Sequence, residues 1–401
     1  MNIFSILSAL RGLAIGFFSP IWIIHLNDQG FDLLAIGILG TVFEVARLLF
    51  EIPTGTFADN NGVRRSIMLS YIFSMATWLI FPFIGITWVC VIAMIIWALA
   101  EALISGAFET WMSQVTPKEE FSKRLMRNAQ VLIASIILTS LLSGHIYKFN
   151  SMLPFIFVAL IYAIMLAIIL IYLKSDQQII KNQKKNTPKE SFIEITGKSF
   201  QIVFKHRRIL NVVLAGFFAA LSYDVIMRYW QPYLIQIGNS KEFLGYVMAI
   251  AGVLAFILLH FTAKAHKIIE KNTLLSLIMV ESISILMIFS TAFGLKAIGL
   301  VAISFLLSVE DIRNPIVNGY LNKFFPDSYK ATLFSVNSVT GAAGEILSGI
   351  IFGLIAVKFG IIATFIVAAI FLIPSILLYY NTAQNTDINY SEKRDNMTFK
   401  S

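Results

Sequence analysis

Apolar runs of about twenty residues recur from one end of this chain to the other, each long enough to cross a ~30 Å hydrocarbon core as a helix. Within lipid, every backbone N–H and C=O needs a partner inside the structure, so only helices and closed barrels can span it. Barrel strands would show alternating segments of ~10 residues, and the sequence has none. Composition agrees: 57% of the 401 residues are hydrophobic and 13% are charged, about half the ~25% charged fraction of soluble domains. The expected fold class is an all-α membrane protein.

The runs between polar punctuation give twelve spans, near 4–26, 33–58, 66–86, 88–113, 127–147, 152–173, 209–236, 243–263, 272–293, 296–322, 331–356 and 360–380. Residues 1–10 lack the basic region and cleavage site of a signal peptide and read as the start of the first span. Four segments follow: a six-helix bundle over 1–173, a linker over 174–208, a second six-helix bundle over 209–380 and a tail over 381–401. The linker carries nine Lys/Arg against three acids, and its second part is expected to form an amphipathic interfacial helix.

Basic residues fix orientation through their excess in cytoplasmic loops. With the N-terminus inside, the inner loops, linker and tail carry 23 Lys/Arg and the outer loops four (Lys148, Lys241, Lys296 and Lys358). Both termini are expected in the cytoplasm. The +8 net charge thus reports topology rather than nucleic-acid binding. The halves also look like diverged copies, since Glu101 precedes Pro117 by the same sixteen residues that separate Glu310 from Pro326. Parallel six-span repeats are a known transporter plan, with the site at their interface.

A charge at the bilayer centre costs at least ~2.5–3.5 kcal/mol on insertion scales, so each needs a partner or an aqueous cavity. Arg11 lies in span 1; Glu44, Arg47 and Glu51 in span 2; Glu101 and Glu109 in span 4. Asp224 and Arg228 lie in span 7, Glu310, Asp311 and Arg313 in span 10, and Glu345 in span 11. Spans 3, 6 and 12 have none and span 9 only Glu281, as though every third helix faced lipid while the others lined a cavity. Spacings of three and four put Glu44, Arg47 and Glu51 on one face, and pair Asp224 with Arg228 and Glu310 with Arg313. Two readings stay open: pairs that merely reduce the cost of insertion, or groups that bind protons and substrate. Gly12, Gly16, Gly341, Gly344, Gly349 and Gly353 suit close helix packing. Trp22, Tyr223 and Trp230 are candidates to line a pocket.

The loop after span 2 reads Gly55-Thr-Phe-Ala-Asp59-Asn-Asn-Gly62-Val-Arg64-Arg65. Gly62 permits a tight turn, and Asp59 ends span 2 where it could meet the positive N-terminus of another helix. This loop resembles the signature G-x-L-a-D-R-x-G-R-[RK] of the major facilitator superfamily, with Asn60 and Val63 replacing basic residues. The resemblance covers the whole chain and implies twelve helices in two pseudo-symmetric bundles working by alternating access. It also implies that Asp59, Gly62 and Arg64 form a latch between the halves near span 11, which follows Pro326-Asp327-Ser328. Glu51-Ile-Pro-Thr-Gly55, Ser105-Gly-Ala-Phe-Glu109 and Lys330-Ala-Thr-Leu-Phe-Ser335 look like a bacterial efflux-type branch. Two departures stand against that: span 5 lacks a G-P-x-x-G-G antiporter motif, and span 4 has Glu101 where drug–proton antiporters commonly carry an Arg.

The expected function is proton-coupled export of small amphipathic compounds across a bacterial inner membrane, by a chain acting as a monomer. Glu44, Glu51, Glu101 and Glu310 are the proton-coupling candidates. Arg11, Arg47, Glu109, Asp224, Arg228, Asp311, Arg313 and Glu345 are the substrate-cavity candidates. Uptake of an organic anion or peptide-like nutrient is the rival, although acids outnumber bases eight to four among these groups. The partners are protons, a small molecule and the bilayer, with no nucleic acid. No cofactor or metal is expected: Cys90 is the single cysteine and the five histidines have no ligand spacing. An enzyme is not expected either, since no nucleophile–base constellation or nucleotide-binding loop is visible.

Overall fold

The computed structural model describes residues 3–173, 203–324 and 330–398. Every regular element among them is helical. Among the described residues, ten helices are long and apolar enough to cross a membrane. One of these, Val336–Gln384, has 49 residues, about twice the ~20 that a crossing needs. Gly360, at φ 82° and ψ 169°, divides it into the eleventh and twelfth spans. The tenth, Lys296–Phe324, has 29 residues but carries Glu310, Asp311 and Arg313, which keep it out of the apolar set. Together they make the twelve expected crossings.

The first span runs Ile3–Phe18 and resumes as Trp22–Asp28; the second is Leu33–Asn61, and the third Val63–Ile80. The fourth is broken into Thr87–Ile104 and Ala107–Val115, the fifth is Lys118–Phe149, and the sixth Leu153–Leu173. The seventh is Arg207–Gln236, the eighth Lys241–Lys264, and the ninth Thr273–Ser290. The expected interfacial helix falls largely on 174–202, and Pro326-Asp327-Ser328 on 325–329, both outside the described residues. The last helix continues past Tyr380 to Thr398, so the expected tail is in part an extension of span 12. No glycine or proline after Pro374 interrupts it.

Gly62 separates the second and third spans at φ 93°, a value that side-chain-bearing residues rarely adopt, and its N–H caps Ala58 O at 2.8 Å. This end of the molecule, the Gly62 side, faces away from the loop that follows Asp28, which marks the Asp28 side.

Small residues decide how the helices approach. A Cβ on Gly12 would strike Leu132 O, and one on Gly16 would lie 2.5 Å from Ile136 O, so span 1 lies directly on span 5. Thr139 and Ser143 on span 5 donate to Leu13 O and Phe17 O on span 1. The two halves meet at two seams of the same kind. In one, Gly37 of span 2 and Gly349 of span 11 sit back to back, each with the other's carbonyl where its Cβ would be. Thr41 donates to Ile346 O across the same seam at 2.9 Å. In the other, Gly245 of span 8 abuts Ser140 O of span 5, and a Cβ on Gly144 would lie 2.7 Å from Lys241 O. Both seams lie toward the Asp28 side, and there the halves are shut.

Gly245→Leu is therefore expected to fold yet fail to close this side. Thiol-labelling of a cysteine placed beside the seam, unreactive in the parent, should become fast; unchanged labelling would argue against backbone contact there.

Candidate functional site

Toward the Gly62 side the halves part around a cavity of about 330 Å³. Its walls are Arg11, Arg47, Glu51, Glu101, Ser105 and Glu109 of the first half, with Ser338 and Ala342 of span 11 closing it from the second. Glu51, Ser105, Gly106 and Glu109 are exposed, so the cavity opens on that side. Five sequence candidates, Arg11, Arg47, Glu51, Glu101 and Glu109, thus share one chamber.

The chamber owes its shape to the break in span 4. A helix C-terminus leaves its last carbonyls without intrahelical partners. Here Thr54 Oγ1 donates to Ala102 O at 3.1 Å and Ser66 Oγ to Leu103 O at 2.6 Å. Gly106 takes φ 68° and the chain restarts as Ala107–Val115. Irregular backbone at membrane depth is tolerated where it is satisfied by protein or lines a cavity, and here two side-chain hydroxyls satisfy it beside the chamber. Glu101, in the last turn before the break, reaches Arg11 Nη2 of span 1 at 3.3 Å, and about 30% of each side chain stays accessible.

Arg47 sits at the inner end of the chamber. Its Nη2 lies 2.8 Å from Glu44 Oε2, as the spacing of three predicts, and 3.6 Å from Glu345 Oε2 across the seam between the halves. One Arg47 nitrogen thus lies between a carboxyl of each half.

Arg228 lies next to this group and is buried. Its Nε donates to Asp224 of its own helix, as the spacing of four predicts. Its Nη1 donates to Gly37 O of span 2 at 2.9 Å and its Nη2 to Glu345 O of span 11 at 3.1 Å. Gly40 leaves room for the guanidinium, which occupies the place of a Cβ. Arg228 and Asp224 therefore tie three helices and both halves together and do not face the chamber.

Span 10 departs from expectation. Arg313 does not pair with Glu310. Its Nε donates to Glu281 Oε1 of span 9 at 2.7 Å and its Nη2 to Tyr379 OH of span 12 at 3.0 Å. Tyr223 OH donates to the other Glu281 oxygen, and Glu281 is wholly buried. Arg313 thus joins four helices inside one half, away from the chamber. Asp311 is exposed and Glu310 half-buried, within electrostatic reach of Glu345 and Asp224. The proposed aromatic liners are elsewhere too: Trp22 packs edge-on against Trp97 at 5.4 Å, and Tyr223 and Trp230 are buried.

Sequence reasoning missed the lock on the Asp28 side. Lys241 Nζ of the second half meets Asp28 of the first at 2.6 and 2.7 Å, while the adjacent Glu242 pairs with Lys148 of the first half. Tyr147 OH donates to Asp28 Oδ2 at 2.6 Å, and its oxygen lies 3.2 Å from His25 Nδ1. The neighbouring opposite charges of Lys241 and Glu242 at a span start were the available signal. In the expected latch, Asp59 is exposed, and the Arg64 guanidinium lies over the Trp111 ring at 5.2 Å.

The comparisons agree with this geometry. Residues 4–310 match the family model described as Major Facilitator Superfamily. An uncharacterized MFS-type transporter of Bacillus subtilis (strain 168), YxaM, is 47% identical over 379 residues, 94% of this chain and 95% of that one. The class H tetracycline resistance protein of Pasteurella multocida is 22% identical over 358 residues, 86% of this chain and 87% of its own. Among solved structures, the nucleoside transporter NupG superposes with a TM-score of 0.78 at 14% identity, covering 95% of this chain and 99% of that one. A bacterial homolog of the human lysosomal transporter Spinster, inward-facing and unoccupied, gives 0.72 at 12%, covering 95% and 96%.

Glu281→Gln should leave the buried Arg313 unbalanced and cost about 3–5 kcal/mol. Glu101→Gln, in a part-exposed pair, should cost ~1 kcal/mol or less. Thermal melting in detergent checks the ranking, and equal losses would refute it.

Proposed function

The chain belongs to the Major Facilitator Superfamily, and we propose that it exports small amphipathic compounds, drugs or metabolites, in exchange for protons. That it is a transporter of this family is carried by the family match and the 47% relative. Direction and coupling rest on one observation: a charged chamber between the halves that opens on the Gly62 side and is sealed on the other. The 23:4 bias of basic residues puts the Gly62 side in the cytoplasm, and both termini with it, in a bacterial inner membrane. A compound would then enter from the cytoplasm, between Arg11, Glu101, Glu51 and Glu109, and leave once the Asp28 side parts. A tetracycline resistance protein among the relatives favours a drug among the compounds handled.

In this reading a single chain suffices, because both halves of the chamber lie within it. The ion pairs Asp28–Lys241 and Lys148–Glu242 hold the outer face shut while the chamber loads. Asp59, Gly62 and Arg64 act in the opposite state, where the loop between spans 2 and 3 closes the cytoplasmic face against span 11. The exposure of Asp59 in the present state fits a latch that is undone. Acids outnumber bases in the chamber, Glu51, Glu101 and Glu109 against Arg11 and Arg47, which favours cationic compounds and protons over organic anions.

The test is substrate-triggered collapse of a proton gradient in inverted vesicles, across a panel of drugs and metabolites. Collapse by one or more compounds with the parent protein is expected, with at least tenfold loss for Asp59→Asn although that variant still inserts. Wild-type transport by Asp59→Asn would sink the latch. Silence across the panel with inserted protein would favour uptake or a proton-independent carrier.

A further inference from the structure

The charges at the seam between spans 2 and 11 do not balance. Among the described residues, Glu44, Glu345 and Asp224 face only Arg47 and Arg228, and Arg228 is held by Asp224 and two backbone carbonyls. Arg47 alone is left to serve Glu44 and Glu345. From the neighbouring helices, Glu310 of span 10 adds another acid and Tyr229 of span 7 spends its hydroxyl on Leu33 O. Glu44 is nine-tenths buried, and its Oε2, 2.8 Å from Arg47 Nη2, has no hydrogen bond. The Glu345 carboxyl, from the other half, lies 3.6 Å from the same Arg47 nitrogen that sits 2.8 Å from Glu44. Two carboxyl groups from opposite halves thus share one guanidinium nitrogen. The surplus negative charge this leaves in the bilayer interior needs a proton.

We propose that Glu44 and Glu345 share one proton across the seam and that this proton holds the Asp28 side shut. With the proton present, the two carboxyls bond span 2 to span 11. Without it, two carboxylates face each other between the halves, and like-charge repulsion drives the seam apart. Arg47, two-fifths of whose side chain is accessible, links the pair to the chamber. The proton therefore leaves as a hydrated ion to the Gly62 side while the seam is closed. It is replaced from the Asp28 side after the seam has opened, and reprotonation closes it again. The cycle moves one proton inward for each outward opening, which is the sign that export by proton exchange demands. The inference rests on the reading above for its coupling to substrate, and on the seam alone for its conformational part.

The experiment needs no substrate. In a Cys90→Ala background, spin labels go at Ile86→Cys and Leu295→Cys, two exposed sites in Asp28-side loops of opposite halves. The interspin distance in reconstituted full-length protein is then followed between pH 5 and pH 9. The parent should move from a short to a long distance as pH rises, by up to tenfold in population ratio per pH unit for a one-proton linkage. Glu44→Gln and Glu345→Gln, each keeping a hydrogen bond across the seam, should stay short throughout; having two independent variants guards against one that fails to fold. A parent distance that ignores pH, or a parent-like titration in both variants, would overturn the proposal. Gradient collapse that survives in Glu345→Gln would overturn this pair as the carrier and leave the export reading standing. Silent vesicles with the expected distance titration would do the reverse.

Discussion

An ionised side chain inside a hydrocarbon layer has to be answered by another charge, a carbonyl or water, and this requirement organises the helices. Two solutions occur. Arg313 and Glu281 neutralise each other within one half, with Tyr223 and Tyr379 completing the network across four helices. Such a pair is weak evidence of stability, since the cost of desolvation offsets much of the attraction. It does fix which helices are neighbours. Arg228 solves the same problem between halves, spending its donors on span 2 and span 11 backbone. The first solution makes a rigid bundle and the second makes a joint between bundles.

The chamber follows from a second conflict, between helix continuity and access. An unbroken span 4 would pack against spans 2 and 3 to its end and leave no room near Glu101. The chain stops at Ser105 and Gly106, and hydroxyls of Thr54 and Ser66 take up two carbonyls freed by the stop. Breaking the helix is therefore tolerable, and the gap becomes a wall of the cavity. The sealed face carries the complementary arrangement: Lys241 and Glu242 are adjacent but reach partners from two different spans of the other half.

Much of this was legible in the residues. The apolar runs mark each crossing, including the two that a single long helix merges, and spacings of three and four identify Glu44 with Arg47 and Asp224 with Arg228. The same rule fails at span 10, where it selects Glu310 for Arg313. Glu281 wins because it is already buried on the facing helix, and helical spacing carries no information about a residue 32 positions away. The break at Gly106 is hidden inside an apolar run, since hydropathy does not register a change of backbone direction. The Asp28 lock left only a faint signal, the adjacent opposite charges of Lys241 and Glu242, because its residues end their spans at the surface, where charges are ordinary. Glu345, read as a cavity residue, faces Glu44 only because two glycines let spans 2 and 11 touch.

Those glycines bear on how the halves move. Gly37 against Gly349, Gly144 against Lys241 and Glu242, and Gly245 against Ser140 bring backbone to backbone. A joint of interdigitated leucines would have to strip its apolar teeth apart at every turn. Here little hydrophobic area is uncovered when the surfaces separate, and what is lost is close carbonyl contact and a few ion pairs. The switching rate should then follow a nearly straight Arrhenius line, because the heat-capacity change that bends such plots scales with exposed apolar surface. A bearing of this kind would slow on cooling by a constant activation enthalpy, without the added curvature of a joint that exposes apolar surface.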